Sequence, residues 1–283
     1  MRRLFLVANT QRKPETAGVL RTLLPWLRKR IQVVGVDRDG RADFSQIKAD
    51  LVVVVGGDGT MLSVARRLAG NPVPVLGVNM GQLGFLAEVP HFELKKILPR
   101  VLRGQYVLSP RMMLRARLPS AERRGKPLDL LALNDAVLLR NPKGSLLSVG
   151  VSVSGEEIAR YKGDGLIVAT ATGSTGYSLS AGGPILSERL KAFIIAPICA
   201  HTLANRPFVL SGEETLEVVP ETRTGAPVEL VLDGQVFRTL ASGSRVCVEK
   251  APCEFNLVTV GRKGRYEIIR DKLHWAGWVK EGR

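Results

Sequence analysis

Three groups of residues in this chain of 283 carry side chains at spacings that suit chemistry. The first is Gly56-Gly57-Asp58-Gly59-Thr60, set between the apolar run Leu51-Val52-Val53-Val54-Val55 and residues 61–68, whose apolar positions recur at helical spacing. A carboxylate therefore sits in a glycine-rich turn at the carboxyl end of a buried parallel strand, the place where open α/β sheets bind ligands. Glycines let backbone N–H groups approach a phosphate, and a helix N-terminus adds partial positive charge. An acid repels phosphate, so Asp58 points to chemistry: a base or a metal ligand beside the phosphate. Gly-Asp-Gly is also an ordinary turn, with Asp58 bonded to its own backbone and Gly59 at positive φ. No Gly-Lys-Ser/Thr follows the glycines, so this is not a nucleotide P-loop, and the Gly-x-Gly-x-x-Gly turn of dinucleotide folds is absent in its usual form.

The second group is Leu133-Asn134-Asp135-Ala136, an amide and a carboxylate inside a strand expected over residues 130–139. Alternation sends only one of the pair into the core. Such a pair suits vicinal hydroxyls, because the carboxylate accepts two O–H bonds and the amide donates or accepts. The structural alternative is an Asx turn entering the strand. The third group spans Tyr161-Lys162-Gly163-Asp164-Gly165-Leu166, read as a turn before an apolar strand, and the loop from Thr170 to Pro184. That loop holds Thr172, Ser174, Thr175, Gly176, Tyr177, Ser178 and Ser180, hydroxyls and glycines with one tyrosine able to stack on a flat base. Its flanks, a buried strand and a Gly-Gly-Pro stop, favour a binding loop over a linker. A Ser-His-Asp hydrolase through Ser174 lacks both a nucleophile elbow and a convincing histidine.

The elements that must position these groups fall into two halves. Residues 3–104 alternate strands (4–8, 31–36, 51–55, 73–78) with amphipathic helices (14–30, 61–68, 92–103), the signature of a parallel sheet with helices on its faces. From Tyr106 short strands dominate: 112–118, 130–139, 147–154, 165–169, 192–196, 215–219, 228–232, 245–248 and 254–259. Turn residues punctuate them as in a β-sandwich. The expected fold is thus an α/β N-terminal domain with a parallel sheet (1–105) and an all-β sandwich domain (106–260). A C-terminal segment (261–283), amphipathic over 266–278, is expected to pack back on the first domain. Residues 121–127 read as a basic hairpin tip, and a cleft between domains is the expected ligand site.

Composition narrows the function. No apolar run is long enough for a membrane span, and the first residues are too short and strand-like for a signal peptide. Three cysteines without ligand spacing (Cys199, Cys247, Cys253) and three histidines without an i, i+4 pair argue for a cytoplasmic protein with no structural metal. The net charge of +15 attracts polyanions. Its short basic runs carry no interleaved aromatics, so a phosphate-rich substrate fits better than nucleic acid, which is not expected as a partner.

Taken with Gly81-Gln82-Leu83-Gly84-Phe85-Leu86 and Asp233-Gly234-Gln235, these motifs occur in an order and spacing that resemble the NAD kinase family from about Leu51 to Gln235. The glycine-Asp-glycine turn is shared with diacylglycerol-type lipid kinases and phosphofructokinases; the Thr-Gly-Ser-Thr-x-Tyr-Ser loop is the specific part. The resemblance implies transfer of the γ-phosphoryl of ATP, or a phosphoryl of polyphosphate, to the 2′-hydroxyl of the adenosine ribose of NAD. It implies Mg²⁺ or another divalent cation arriving with the donor, and a homodimer or homotetramer. By the same resemblance Asp58 is the proton acceptor, Gly57, Gly59 and Thr60 meet phosphate, and Phe85 lies in the site. Asn134 and Asp135 hold ribose hydroxyls, while Lys162 and Asp164 stand on the nicotinamide side. Thr172, Thr175, Gly176, Tyr177, Ser178 and Ser180 surround the adenosine, and Gln235 is a late nucleotide contact. Two positions depart from the family's habit: Asp135 where Glu is commoner, and Gly176 where Ala is commoner. Neither removes a required group. A lipid kinase would need an apolar acceptor pocket, which the polar 172–180 loop argues against. A non-catalytic nucleotide or nucleic-acid binder is distinguished by whether Asp58 supports turnover.

Overall fold

The structure, a computed structural model, describes residues 1–11, 14–81, 83–119, 127–142, 146–202, 205–261 and 265–273. Residues 121–126 of the expected basic tip, and residues 274–278 of the expected C-terminal amphipathic segment, lie outside the described residues. The chain divides into two compact units: Met1–Ser109 with the residues from Asn256 onward, and Pro110–Phe255.

The first unit is built on parallel strands. β1 (Arg3–Val7) lies between β2 (Gln32–Asp37) and β3 (Leu51–Val55); β4 (Val75–Asn79) follows β3, and the two-residue β5 (Val89–Pro90) pairs with β4. Every residue of β3 is buried, which is why its sequence reads as an unbroken apolar run. Leu51, Val53 and Val55 face a core shared with Leu20, Leu23, Leu24 and Leu27 of α1 (Glu15–Arg28) and with Leu94, Ile97, Leu98 and Val101 of α3 (Leu94–Leu102). Alternation sends Val52 and Val54 to the other face. There Met61 of α2 (Asp58–Leu68) lies against Gly77, the partner of Val54 in the next strand. The site turn is thereby pinned: α2 cannot shift without exposing Met61, Val64, Ala65 and Leu68, each worth up to about 1.5–3 kcal/mol when buried.

The second unit is all-antiparallel. One sheet runs β13 (Phe208–Ser211), β12 (Ala192–Ile198), β11 (Gly165–Thr170), β8 (Asp135–Arg140), β15 (Val228–Leu232), β16 (Val236–Leu240). The other contains β10 (Glu156–Gly163), β9 (Leu147–Val153), β14 (Leu216–Thr222) and β17 (Val246–Thr259), with β6 (Val107–Leu118) beside β17 and β7 (Leu128–Ala132) beside β6. Their inner faces share one core, in which Leu114, Val149 and Val218 meet Leu138, Val168, Phe193 and Leu230. On the opposite face of the first sheet, Ile167, Ile194 and Val231 are covered by Ala181 and Leu186. The hydroxyl-rich loop is therefore packed down by its own apolar residues.

Three expectations from sequence are corrected here. The single strand expected at 130–139 is two, β7 and β8, separated by a bend at Leu133 and Asn134. The cause is local: the carbonyls of both bend residues are taken by Thr170, through Oγ1 at 2.6 Å and N at 2.8 Å, which leaves no ladder to continue. The expected turn at residues 161–165 is mostly strand, since β10 runs to Gly163 and β11 starts at Gly165. Conversely, the strands expected at 245–248 and 254–259 are one, β17, where Pro252 falls at an exposed position.

Candidate active site

The Asp58 corner grows from the end of β3. Gly57 caps α2 in an extended conformation (φ −92°, ψ −175°), and its carbonyl accepts the Thr60 N–H at 2.9 Å, so the turn closes directly into the helix. Asp58 is the first helical residue. Its carboxylate reaches the segment after β4: Oδ2 accepts the Phe85 N–H at 2.9 Å, and Oδ1 those of Leu86 and Ala87 at 3.1 and 3.2 Å. Gly84 makes this approach possible, because a Cβ there would stand 2.0 Å from Asp58 Oδ1. The segment is anchored behind by buried Asn79, whose Nδ2 donates to the Ala87 carbonyl at 3.1 Å. Above it, the Lys272 ammonium of α5 (Arg265–Leu273) lies 5.2 Å from the Phe85 ring centroid.

An ionised carboxylate offers about four lone-pair positions. Three N–H groups hold Asp58. One position therefore stays open on Oδ2, on a group that the backbone keeps from rotating. Gly59 is exposed, and Gly57 and Thr60 are half-buried.

In the second unit the structure brings Asn134, Asp135, Gly173 and Gly176 together. A Cβ at Gly173 would lie 2.1 Å from the Asn134 carbonyl oxygen, and one at Gly176 would lie 3.3 Å from Asn134 Nδ2 and 3.8 Å from Asp135 Oδ2. Thr170 Oγ1 accepts the Gly173 N–H at 3.1 Å, tying the loop to the strand end. Asp135 is buried at the start of β8; burial first, and the charge of Asp233 second, push its carboxyl up to about 7. Asp233, which sequence reasoning named only as a flank of Gln235, lies against it. Its signal was available: Asp-Gly directly after an apolar run marks a hairpin turn.

The loop divides its hydroxyls between two tasks. Ser174 is buried and consumed, donating to the Ala171 carbonyl at 2.7 Å and accepting the Leu186 N–H at 3.0 Å, so it cannot be a nucleophile. Thr172 is buried, and the Thr175 hydroxyl donates to its carbonyl at 3.3 Å. Ser178 is buried too, its hydroxyl without a hydrogen-bond partner. Tyr177 and Ser180 are exposed on the short helix α4 (Tyr177–Ser180).

Lys162 and Asp164 belong to a separate group at the join of β10 and β11. Lys162 is exposed, and Asp164 pairs with Arg140, Nε to Oδ1 at 2.6 Å. That hydrogen bond is the main reason its carboxyl sits below the usual range. Arg140, with Cys199 and His201 also acting on Asp164, had no motif to announce it. Gln235 is half-buried, and its N–H closes the turn onto the Leu232 carbonyl at 2.9 Å. Among the described residues, no three His, Cys, Asp or Glu side chains are grouped to hold a metal ion.

Comparison with known proteins bears on both corners. A model of the ATP-NAD kinase N-terminal domain matches residues 6–106, and one of the ATP-NAD kinase C-terminal domain matches residues 133–260. The chain is 39% identical over 274 residues to NAD kinase of Geotalea daltonii, covering 93% of this chain and 95% of that one. It is 36% identical over 273 residues to NAD kinase of Rhodopirellula baltica, covering 96% and 87%. Among solved structures, yeast NADH kinase complexed with NADH matches with a TM-score of 0.87, over 100% of this chain and 90% of that one; at 22% identity this shows the fold alone. An NAD kinase from Archaeoglobus fulgidus in complex with ATP matches with a TM-score of 0.71 at 27% identity, over 97% and 99%. Since the two domain models take in most of the sequence and curated relatives align along nearly all of it, the chain belongs to the NAD kinase family.

Proposed function

We propose that Asp58 is the general base with which this enzyme makes NADP from NAD. Phosphorylation of NAD by ATP follows from membership of the family. A ribose hydroxyl is a poor nucleophile at neutral pH, so a carboxylate held in place accelerates its attack by accepting the proton in the transition state. The 2′-oxygen forms a bond to the γ-phosphorus, the bond from that phosphorus to the β–γ bridging oxygen breaks, and the proton passes to the open lone pair of Asp58 Oδ2. ADP and NADP leave. The observation that carries this reading is the three-point grip of residues 85–87 on Asp58, which fixes the group and leaves one lone pair for work.

The other roles follow the same division. Gly57, Gly59 and Thr60 present backbone to phosphate at the start of α2, where the helix dipole favours anions. Phe85 supplies both an N–H to Asp58 and a ring at the edge of the same corner. Asn134 and Asp135 hold ribose hydroxyls; Thr172, Thr175, Gly176, Tyr177, Ser178 and Ser180 shape the adenosine site, with exposed Tyr177 stacking on the base. Buried Ser178 contributes through the loop rather than by direct contact. Lys162 and Asp164 stand on the nicotinamide side, and Gln235 makes the late nucleotide contact. In domain terms, residues 1–105 carry the phosphoryl chemistry and 106–260 recognise the dinucleotide, while residues 265–273 of the C-terminal segment stand with the first domain through Lys272 at Phe85.

A divalent cation such as Mg²⁺ would neutralise charge on the transferring phosphates. With the one open position of Asp58 given to the proton, such a cation would arrive on the phosphates of the donor. A cytoplasmic homodimer or homotetramer is part of the proposal, supported by the resemblance. The +15 charge also makes polyphosphate a donor to test beside ATP. The test is NADP formation from NAD and Mg²⁺, with ATP and polyphosphate in separate reactions. Asp58→Asn should keep the fold and dinucleotide binding while turnover falls roughly a hundredfold or more. Turnover near wild type would remove Asp58 as the base.

A further inference from the structure

The Asn134 and Asp135 side chains leave a bend whose every backbone polar group has a partner. Thr170 takes the carbonyls of Leu133 and Asn134 from one side. From the other side comes Asp233, which is 7% exposed. Its Oδ2 accepts the Leu133 N–H at 3.1 Å, and its Oδ1 accepts those of Asn134 at 2.7 Å and Asp135 at 3.3 Å. The contact is reciprocal, since the Asp233 N–H donates to the Asp135 carbonyl at 3.0 Å. Asp233 itself is held in the left-handed region (φ +50°), followed by Gly234 (φ +64°), in the three-residue loop that closes the β15–β16 hairpin. A non-glycine residue pays strain for that conformation, and here the strain aims a carboxylate at three donors.

We propose that Asp233 is the positioning residue of the nucleotide site: from its hairpin turn it fixes the peptide groups that carry Asn134 and Asp135, and so sets where their side chains meet the dinucleotide. This rests on the assignment of Asn134 and Asp135 to the ribose hydroxyls. The choice of a carboxylate has a second consequence. A neutral amide would hold two of the N–H groups, but Asp233 also places negative charge against buried Asp135. Burial first, and that charge second, push the Asp135 carboxyl up to about 7. Asp233 is the charged group that acts on Asp135 across β8, β11, β15 and the 173–176 turn.

The test measures NAD affinity by calorimetry from pH 5 to 9, together with KM and kcat, in Asp233→Ala and Asp233→Asn. Asp233→Ala removes all three acceptor contacts and should raise Kd and KM for NAD tenfold or more, with kcat falling by much less. Asp233→Asn keeps Oδ1 for Asn134 and Asp135, so its Kd should rise only a few-fold. Its pH midpoint for NAD binding should move below wild type, because the repulsion that holds the Asp135 proton is gone. A folded Asp233→Ala with wild-type Kd overturns the inference; should that variant fail to fold, an unmoved pH midpoint in Asp233→Asn overturns it. Asn134→Ala and Asp135→Ala separate the two levels. If they weaken NAD binding while Asp233→Ala does not, positioning alone fails. Unchanged affinity in Asn134→Ala and Asp135→Ala sinks the ribose assignment and the inference with it.

Discussion

In the first unit the Asp58 carboxylate accepts three successive backbone N–H groups, from Phe85, Leu86 and Ala87; in the second, Asp233 does the same for Leu133, Asn134 and Asp135. The surroundings differ. Asp58 opens a helix at a half-buried position, with glycines on both sides. Asp233 is buried in a hairpin turn beside Asp135. The same three-donor grip therefore serves opposite ends. At Asp58 the backbone holds the acid still, which is what a proton acceptor needs. At Asp233 the acid holds the backbone still, which is what a pair of recognition side chains needs.

Two matched substitutions strain these corners sterically without replacing either acid. Gly84→Ala puts a Cβ 2.0 Å from Asp58 Oδ1, so the carboxylate or the 84–87 segment must move. Displacement of a catalytic group by about 1 Å can cost on the order of a hundredfold in rate, so kcat should fall nearly as far as in Asp58→Asn while Kd for NAD changes little. Gly173→Ala puts a Cβ 2.1 Å from the Asn134 carbonyl oxygen. Overpacking of this kind costs about 1–3 kcal/mol, and the loss should fall on NAD affinity, roughly tenfold, more than on kcat. Steady-state kinetics on the two variants checks the contrast. If both change kcat and KM alike, the division of labour is wrong.

The first corner was legible in the sequence because its parts are contiguous: an unbroken apolar strand, glycines, an acid and a helical period lie within residues 51–68. Its partners were not, since nothing in Gly84-Phe85-Leu86-Ala87 says that three amides turn toward an acid 27 to 29 residues earlier. The second corner was read as continuous strand because apolar runs, 130–133 and 136–139, flank Asn134 and Asp135 on both sides. Only long-range bonds from Thr170 and Asp233, the latter about 100 residues on, make the bend. Local propensity does not carry such information. The same limit hid Arg140, which looks like any strand-end arginine until Asp164 is seen beside it.

Asp135 also makes the comparison visible in stability. Its carboxyl is raised from 3.8 to about 7 in the folded protein, so between those values the folded state keeps a proton that the unfolded chain has lost. Stability from this group is therefore greatest at the acid end and declines as pH rises from about 4 to about 7. Denaturant titrations at pH 5 and pH 7.5 should show wild type losing more stability over that interval than Asp135→Asn, which has no proton to exchange. An equal difference for the two proteins would mean that Asp135 ionises normally.

The smallest expected effect is at Gly176, which faces Asp135 in a chain where the resembling family more often has Ala and Glu at these two positions. A Cβ at 176 would meet the Gly173 carbonyl oxygen at 3.2 Å and Asn134 Nδ2 at 3.3 Å, tight by a few tenths of an ångström, and Asp135 Oδ2 at 3.8 Å, an ordinary contact. Gly176 has φ −100°, outside the left-handed region that favours glycine. Two effects oppose each other in Gly176→Ala: the unfolded chain loses freedom, stabilising by about 0.4–1 kcal/mol, while Asn134 must yield slightly. Thermal stability should stay near wild type, and KM for NAD should rise by no more than about threefold, well below the effect of Gly173→Ala. The result measures how firmly Asp233 grips the bend. A bend free to shift by tenths of an ångström absorbs the methyl with no change in KM, whereas one locked by three amide bonds passes the whole displacement to the Asn134 amide. A rise of two- to threefold at unchanged thermal stability is therefore the signature of a stiff recognition corner, and no rise at all would argue that the grip of Asp233 is looser than that of residues 85–87 on Asp58.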